Sequence, residues 1–270
     1  MNILEKIVAQ KRIEVEQRKL LIPDALLEKS IYFESPTVSL KSYLLREDKS
    51  GVIAEFKRKS PSKGNINPYA KVDEVTLGYM QSGASALSVL TDESFFGGSD
   101  NDLKQARKLN YCPILRKDFI IDPYQIIEAR SIGADAILLI ANVLSKEEVQ
   151  RFTALANELS LEVLLEVHNE NELDKVPNDS VLIGVNNRNL ETFEVSLQNS
   201  INLYSKLPVS SVKVAESGIK TPEDIAMLKD VGYNGFLIGE QFMKTSNPAK
   251  ACRTFIEAIH TSTTLSMTSN

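Results

Sequence analysis

A short apolar run in this chain ends in charge: within VIAEFKRKSPSKG, Val52 to Gly64, Glu55 and Lys57 stand two residues apart and Ser60 follows. Alternate residues of an extended strand share a face, so Glu55 and Lys57 would project together. An acid and a base at the end of a buried strand are costly unless paired or used. Proton transfer is the chemistry open to them, because burial and mutual charge can move both pKa values toward neutrality. Similar groups recur further on. Lys117 lies between Arg116 and Asp118 in LRKDF, and Glu166 precedes His168 in LLEVHN. Asn186, Asn187 and Arg188 sit in GVNNRNL, Glu216, Ser217 and Gly218 form ESG, and Glu240 follows Gly239 in LIGEQF. The glycines leave backbone N–H groups accessible to an anion and Ser60 could add a hydroxyl, so phosphate is a second expected ligand. Phe95, Phe96, Phe119, Leu138 and Ile140 could form an apolar wall, although such residues more often belong to a packed core.

The elements that must position these groups repeat along the chain. Strand-like apolar runs occupy Val52 to Phe56, Ala86 to Leu90, Pro113 to Leu115, Ala136 to Ile140, Val163 to Val167, Val181 to Val185, Val212 to Ala215 and Phe236 to Ile238. Helical patterns lie between and after them, at Val72 to Met80, Asn101 to Leu109, Pro123 to Ile132, Lys146 to Leu159, Glu170 to Lys175, Leu197 to Lys206, Pro222 to Val231 and Pro248 to Ile259. Ser145 with Glu148 reads as a capping box, Thr221 as the cap of a helix opening on Pro222, and Gly83, Gly133 and Gly232 as helix ends. Eight strands each followed by a helix is the count of a (β/α)8 TIM barrel, whose functional groups gather at the carboxyl ends of the strands. A doubly wound open sheet is the competing architecture, but no glycine-rich dinucleotide turn follows the first strand. Before the barrel, Ile3, Leu4, Ile7, Val8 and Val15 predict an amphipathic helix, and a second helical piece is expected from Pro23 to Pro36. Residues 1–48 are thus expected to be a helical extension of one barrel domain spanning 1–270, too short to hold a core of their own.

Of the 270 residues, 43% are hydrophobic and 25% charged, as in an ordinary globular protein, and the formal net charge is -5. That balance argues against a general nucleic-acid binder, since no excess of Lys and Arg is available for a phosphate backbone. Two cysteines, Cys112 and Cys252, and two histidines, His168 and His260, make neither a disulfide framework nor a metal-ligand spacing. No metal, cofactor, nucleic acid or membrane is expected, and the charged N-terminal stretch has no apolar run suited to a signal peptide. The expected location is cytoplasmic.

The motifs IAEFKRKSPSKG, LSVLTDESFFGGS, LRKDFIIDPYQI, LLEVHNENEL, GVNNRNL, AESGI and FLIGEQFM, spread over essentially the whole chain, together resemble the indole-3-glycerol-phosphate synthase family. The resemblance implies a monofunctional carboxy-lyase of tryptophan biosynthesis on a (β/α)8 barrel. Its substrate would be 1-(2-carboxyphenylamino)-1-deoxyribulose 5-phosphate, which loses CO2 and water as the indole ring closes. By the same resemblance Lys117 is the general acid and Glu166 its acid–base counterpart. Lys57 contacts the anthranilate carboxylate and assists loss of the hydroxyl. Glu55, Asn186, Glu216 and Ser217 match positions that orient the lysines and the sugar hydroxyls. Ser60, Gly218, Gly239 and the backbone of Glu240 match the phosphate site, and Phe96, Phe119, Leu138 and Leu190 the ring pocket, with Arg188 nearby. Some members carry Ser where Glu240 stands, so only the N–H of Glu240 is expected to face the ligand. A small phosphorylated substrate is the expected partner and a monomer the expected state. Two other functions stay open at this point: a Schiff-base aldolase, since a strand-end lysine is also the usual nucleophile there, and a phosphate-ligand sensor that has lost catalysis. A metal-dependent hydrolase lacks the clustered ligands it would need.

Overall fold

The computed structural model describes residues 2–177, 182–189 and 192–267, with side chains as far as residue 261. Leu190 and Val181, both named above, lie outside the described residues.

Eight parallel strands close into a barrel: β1 (Val52–Phe56), β2 (Ala86–Leu90), β3 (Ile114–Lys117), β4 (Ala136–Ile140), β5 (Glu162–Val167), β6 (Leu182–Asn186), β7 (Lys213–Glu216) and β8 (Gly235–Ile238). Closure through the β1–β8 pairing rules out the open doubly wound sheet. Strand parity divides the apolar residues into two sets. Ile53, Leu115, Leu138, Leu164, Val214 and Leu237 fill the barrel interior, while Val52, Phe56, Leu87, Ile114, Val163 and Phe236 pack outward against the helices. Both faces of each strand are therefore dry, which is why the strands read as continuous apolar runs.

Several boundaries move in an informative way. The third strand runs Ile114–Lys117 and the seventh Lys213–Glu216, so Lys117 and Glu216 are the last residues of strands and not the first of loops. The segment from Glu170 to Lys175 is a 3₁₀ turn. Of the expected piece from Pro23 to Pro36, only Asp24–Leu27 is an α-helix. The capping boxes of Ser145 with Glu148 and of Thr221 with Asp224 are present.

Two parts of the N-terminal region hold the ends of the barrel. The helix Leu40–Leu44, not foreseen from sequence, places Leu40 and Leu44 in the interior cluster at the amino-terminal mouth. Glu162 at the start of β5 fastens it, accepting from the Ser39 hydroxyl (2.6 Å) and the Lys41 N–H (2.9 Å). The helix α1 (Ile3–Leu21) lies over the opposite, carboxyl-terminal mouth. Its Lys11 is buried between Asp92 and Asp118, in the loops after β2 and β3, at 2.9 and 3.0 Å. Arg18 adds bonds to Asp100 and Glu128.

Candidate active site

A cavity opens at the carboxyl ends of the strands, and every residue that the family resemblance assigns to the site, within the described part of the chain, lines it. Glu55 is buried on β1, with Lys57 just beyond the strand end, where alternation turns both inward, and the Lys57 ammonium meets Glu55 Oε1 at 2.6 Å. Lys117 ends β3 on the inward face. It donates to Glu166 Oε2 of β5 at 2.9 Å and to Glu216 Oε2 of β7 at 2.6 Å. The amide of Asn186, at the end of β6, donates to Glu166 Oε1 at 3.1 Å. Three strands thus converge on one ammonium.

Burial works against both charges of this cluster, and the ion pairs overcome it in two cases. Burial would lower the Lys117 pKa, but Glu166, Glu216 and Glu55 hold it well above the ordinary lysine range. Burial would raise Glu166, but Lys117 and His168 hold it well below the usual carboxylate range. Glu216 goes the other way: burial, together with the charges of Glu166 and Glu55, pushes it up to about 7 against the pull of Lys117. The arrangement therefore holds a charged lysine between one firmly ionised carboxylate and one poised to exchange a proton near neutrality.

The space for Glu216 comes from a glycine. A Cβ on Gly184 would lie 2.1 Å from Glu216 Oε1. Gly239 does the same for Glu55, whose Oε1 would lie 2.5 Å from an added Cβ. Gly239 is thus required by the carboxylate beside it, before any ligand is considered.

The rim carries the groups expected to meet an anion. Ser217 and Gly218 are consecutive residues with positive φ, 66° and 83°, in a loop held by the buried Asn187, whose amide donates to the carbonyls of Glu216 and Ser217. Gly239 leads into the short helix Glu240–Met243. The Glu240 carboxylate lies 3.9 Å from Lys63 and 4.0 Å from Arg188. Ser60 faces the cavity from the hairpin formed by Lys59–Ser60 and Gly64–Asn65. On the apolar side, Phe96 and Phe119 pack with ring centroids 5.9 Å apart, next to Leu138 and Ile140.

Several residues from the sequence reading do other work. Arg116 shares β3 with Lys117 but has the opposite parity, so its guanidinium is wholly buried outside the barrel interior among Asp100, Asp118 and Glu128. Asp118 lines the cavity, yet its carboxylate is engaged by Lys11, Arg116 and Thr91, which hold it ionised against burial. Asn187 is a loop anchor, and Phe95 does not line the cavity. Conversely, Ile3, Leu4 and Ile7 of α1 and Phe193 of the loop after β6 do line it and were not foreseen as site residues. The spacing of the three α1 residues marked an apolar face, but nothing local said what that face covers.

Comparison with known proteins agrees with this picture. A family model described as indole-3-glycerol phosphate synthase matches residues 4–255. A relative of that name from Bacteroides thetaiotaomicron is 48% identical over 258 residues, covering 96% of this chain and 99% of its own. One from Magnetococcus marinus is 43% identical, covering 93% of this chain and 96% of its own. Among solved structures, tryptophan synthase subunit alpha from Legionella pneumophila superposes with a TM-score of 0.59 at 14% identity, over 82% of this chain and 97% of that one. The 3-hexulose-6-phosphate synthase from Salmonella typhimurium gives 0.61 at 12%, over 78% and 98%. At such identities these two speak for the barrel alone.

Proposed function

The chain belongs to the indole-3-glycerol phosphate synthase family, and from that premise we propose how its own residues carry the reaction. The enzyme closes the indole ring of 1-(2-carboxyphenylamino)-1-deoxyribulose 5-phosphate, with loss of CO2 and water, in tryptophan biosynthesis. The observation that carries the assignment of roles is Lys117, held charged between Glu166 and Glu216 at the cavity floor.

The substrate phosphate sits against the backbone of Ser217, Gly218, Gly239 and Glu240, with the Ser60 hydroxyl and with Arg188 at the rim. The aromatic ring lies on Phe96, Phe119 and Leu138, and Leu190 belongs to the same wall by family resemblance. Lys57, paired with Glu55, meets the ring carboxylate. The ring carbon bearing that carboxylate attacks the ketone carbon, and a carbon–carbon bond forms as Lys117 passes a proton to the carbonyl oxygen. The carbon–carboxylate bond then breaks, CO2 leaves, and its electron pair restores the aromatic ring. Finally the new hydroxyl leaves as water, with a proton from Lys57, while a proton on the neighbouring carbon passes to Glu166. Asn186 keeps Glu166 turned toward the reacting atoms, Ser217 steadies the sugar hydroxyls, and Glu216 resets Lys117.

The geometry favours this over a Schiff-base aldolase. A lysine pinned as an ammonium by two carboxylates is a proton donor and a poor nucleophile, and borohydride should trap no substrate on Lys117. The two thiols, Cys112 and Cys252, are buried and free, which suits action in a reducing cytoplasm. Among the described residues no helix is long and apolar enough to cross a membrane. We propose a monomeric enzyme with residues 1–48 as an extension of one barrel domain.

Steady-state kinetics with indole fluorescence as the readout test the roles. A general acid contributes roughly 10²- to 10⁴-fold, so Lys117→Ala should lower kcat by that range while KM moves little. Lys57→Ala should change both parameters, because the same ammonium binds the carboxylate and aids dehydration. Near-normal kcat in Lys117→Ala would overturn the scheme.

A further inference from the structure

Glu166 is held from two sides, and only one of them belongs to the lysine. Its Oε2 faces Lys117, while its Oε1 faces the Asn186 amide and the imidazole of His168, whose Nε2 is 3.2 Å away. His168 follows Glu166 by two residues, so the parity that pairs Glu55 with Lys57 on β1 repeats at the end of β5. The chain then folds back. Glu172, on the turn Glu170–Lys175, accepts from the His168 N–H at 2.8 Å and from the Asn169 amide at 2.9 Å, which places its Oε2 3.5 Å from His168 Nδ1. Asn199, from the following helix, donates to the His168 carbonyl at 3.0 Å. The imidazole is thus wedged between two buried carboxylates, one on each of its nitrogens. The charged groups that face it are Glu166 and Glu172, and Lys117 of β3 reaches it only through Glu166. His168 does not line the cavity, so replacing it removes no group from the cavity wall.

We infer that His168 is a positioning residue, an imidazolium that takes up part of the Glu166 charge and so leaves Lys117 a stronger proton donor than it would be facing two unshared carboxylates. This rests on the reading of Lys117 and Glu166 as the proton-transfer pair. Burial opposes the charge on His168, but the two carboxylates outweigh it and push its pKa up to about 10, so the ring stays charged through neutral pH. Remove that charge, and Lys117 is left as the one cation on Glu166, so its proton becomes harder to give up. Glu172 is then the group that keeps the imidazolium in place.

The chain has only two histidines, His168 and His260, so imidazole NMR of the labelled full-length protein resolves His168 directly, with His168→Gln as the assignment control. The expected results are an imidazolium at pH 8 and a fall in kcat of about tenfold in His168→Gln. KM should stay within about twofold, because no group of the cavity wall is lost. His168→Lys, which restores a charge, should recover most of kcat. In a Lys117→Ala background His168→Gln should cost nothing further, since the effect runs through Lys117. A neutral imidazole at pH 8, or an undiminished kcat in a folded His168→Gln, would overturn the inference and leave the Lys117 scheme standing. Near-normal kcat in Lys117→Ala would instead overturn the scheme on which it rests.

Discussion

Gly184→Ala should disable the enzyme without unfolding it. Gly184 stands inward on β6, in register with Glu166 on one side and Val214 on the other. A methyl there would lie 2.1 Å from Glu216 Oε1, 3.2 Å from its Cδ and 3.3 Å from Leu164 Cδ1. Since 2.1 Å is far inside van der Waals contact, the carboxylate must move, and it is the free end of a flexible side chain. Oε1 has no hydrogen-bond partner to lose, but Oε2 gives up its 2.6 Å bond to Lys117. A hydrogen bond to a charged group is worth about 1.5 to 3 kcal/mol. If Lys117 needs Glu216 to be recharged, that loss corresponds to a fall in kcat of about 10- to 100-fold.

Stability should respond differently. Alanine in place of glycine in a strand gains about 0.5 to 1 kcal/mol, set against the crowding of Leu164. For a chain of this size Tm should then stay within about 3 °C of the parent. The assay pairs indole-fluorescence kinetics with calorimetry on the same preparation, and Glu216→Gln, which keeps the shape and removes the charge, serves as reference. Parent-like kcat in Gly184→Ala would refute the argument that this glycine exists to seat a working carboxylate. So would a large loss of Tm, which would show that the strand and not the side chain had yielded.

Lys11→Met should leave Asp92 and Asp118 short of their cation. Breaking a buried pair this way costs about 3 to 5 kcal/mol, and the low end is expected because Arg116 and Thr91 still hold Asp118. With α1 loosened, the Ile3, Leu4 and Ile7 wall should fail as well, so steady-state kinetics should show KM rising more than kcat falls, and parent-like KM and Tm together would refute this. Calorimetry across pH should show stability falling as pH rises. Glu216 is raised from 4.5 to about 7 and His168 from 6.5 to about 10, so the folded state holds the extra protons, and their contributions fade as pH climbs through each folded value. Glu166 and Asp118 are lowered, so stability is also lost below the ordinary carboxylate range, which places the optimum near pH 5. In His168→Gln the decline from neutrality to pH 10 should flatten, and an unchanged slope would show that His168 is not the group titrating there.

What could be read from the chain, and what could not, divides along a physical line. Apolar runs and caps report on neighbours in sequence, and so the strands, most helices and the clustering of acid and base at strand ends were legible. Parity within a strand was legible only where the strand's end was placed correctly. With the third strand expected to stop at Leu115, Arg116 and Lys117 looked alike, although one points into the helix layer and the other into the cavity. Contacts made by closure were not legible at all. A glycine inside a strand announces that something comes close, yet it does not say what. Only the adjacency of β5, β6 and β7 brings Glu166, Gly184 and Glu216 together on the inward face, with Lys117 reaching across from β3. The same holds for α1, whose apolar stripe was plain while the cavity it roofs is assembled from loops tens of residues away. Local sequence thus supplied the ionisable groups, and the barrel's closure supplied their charge states, since each shifted pKa in the cluster depends on a partner from a different strand or turn.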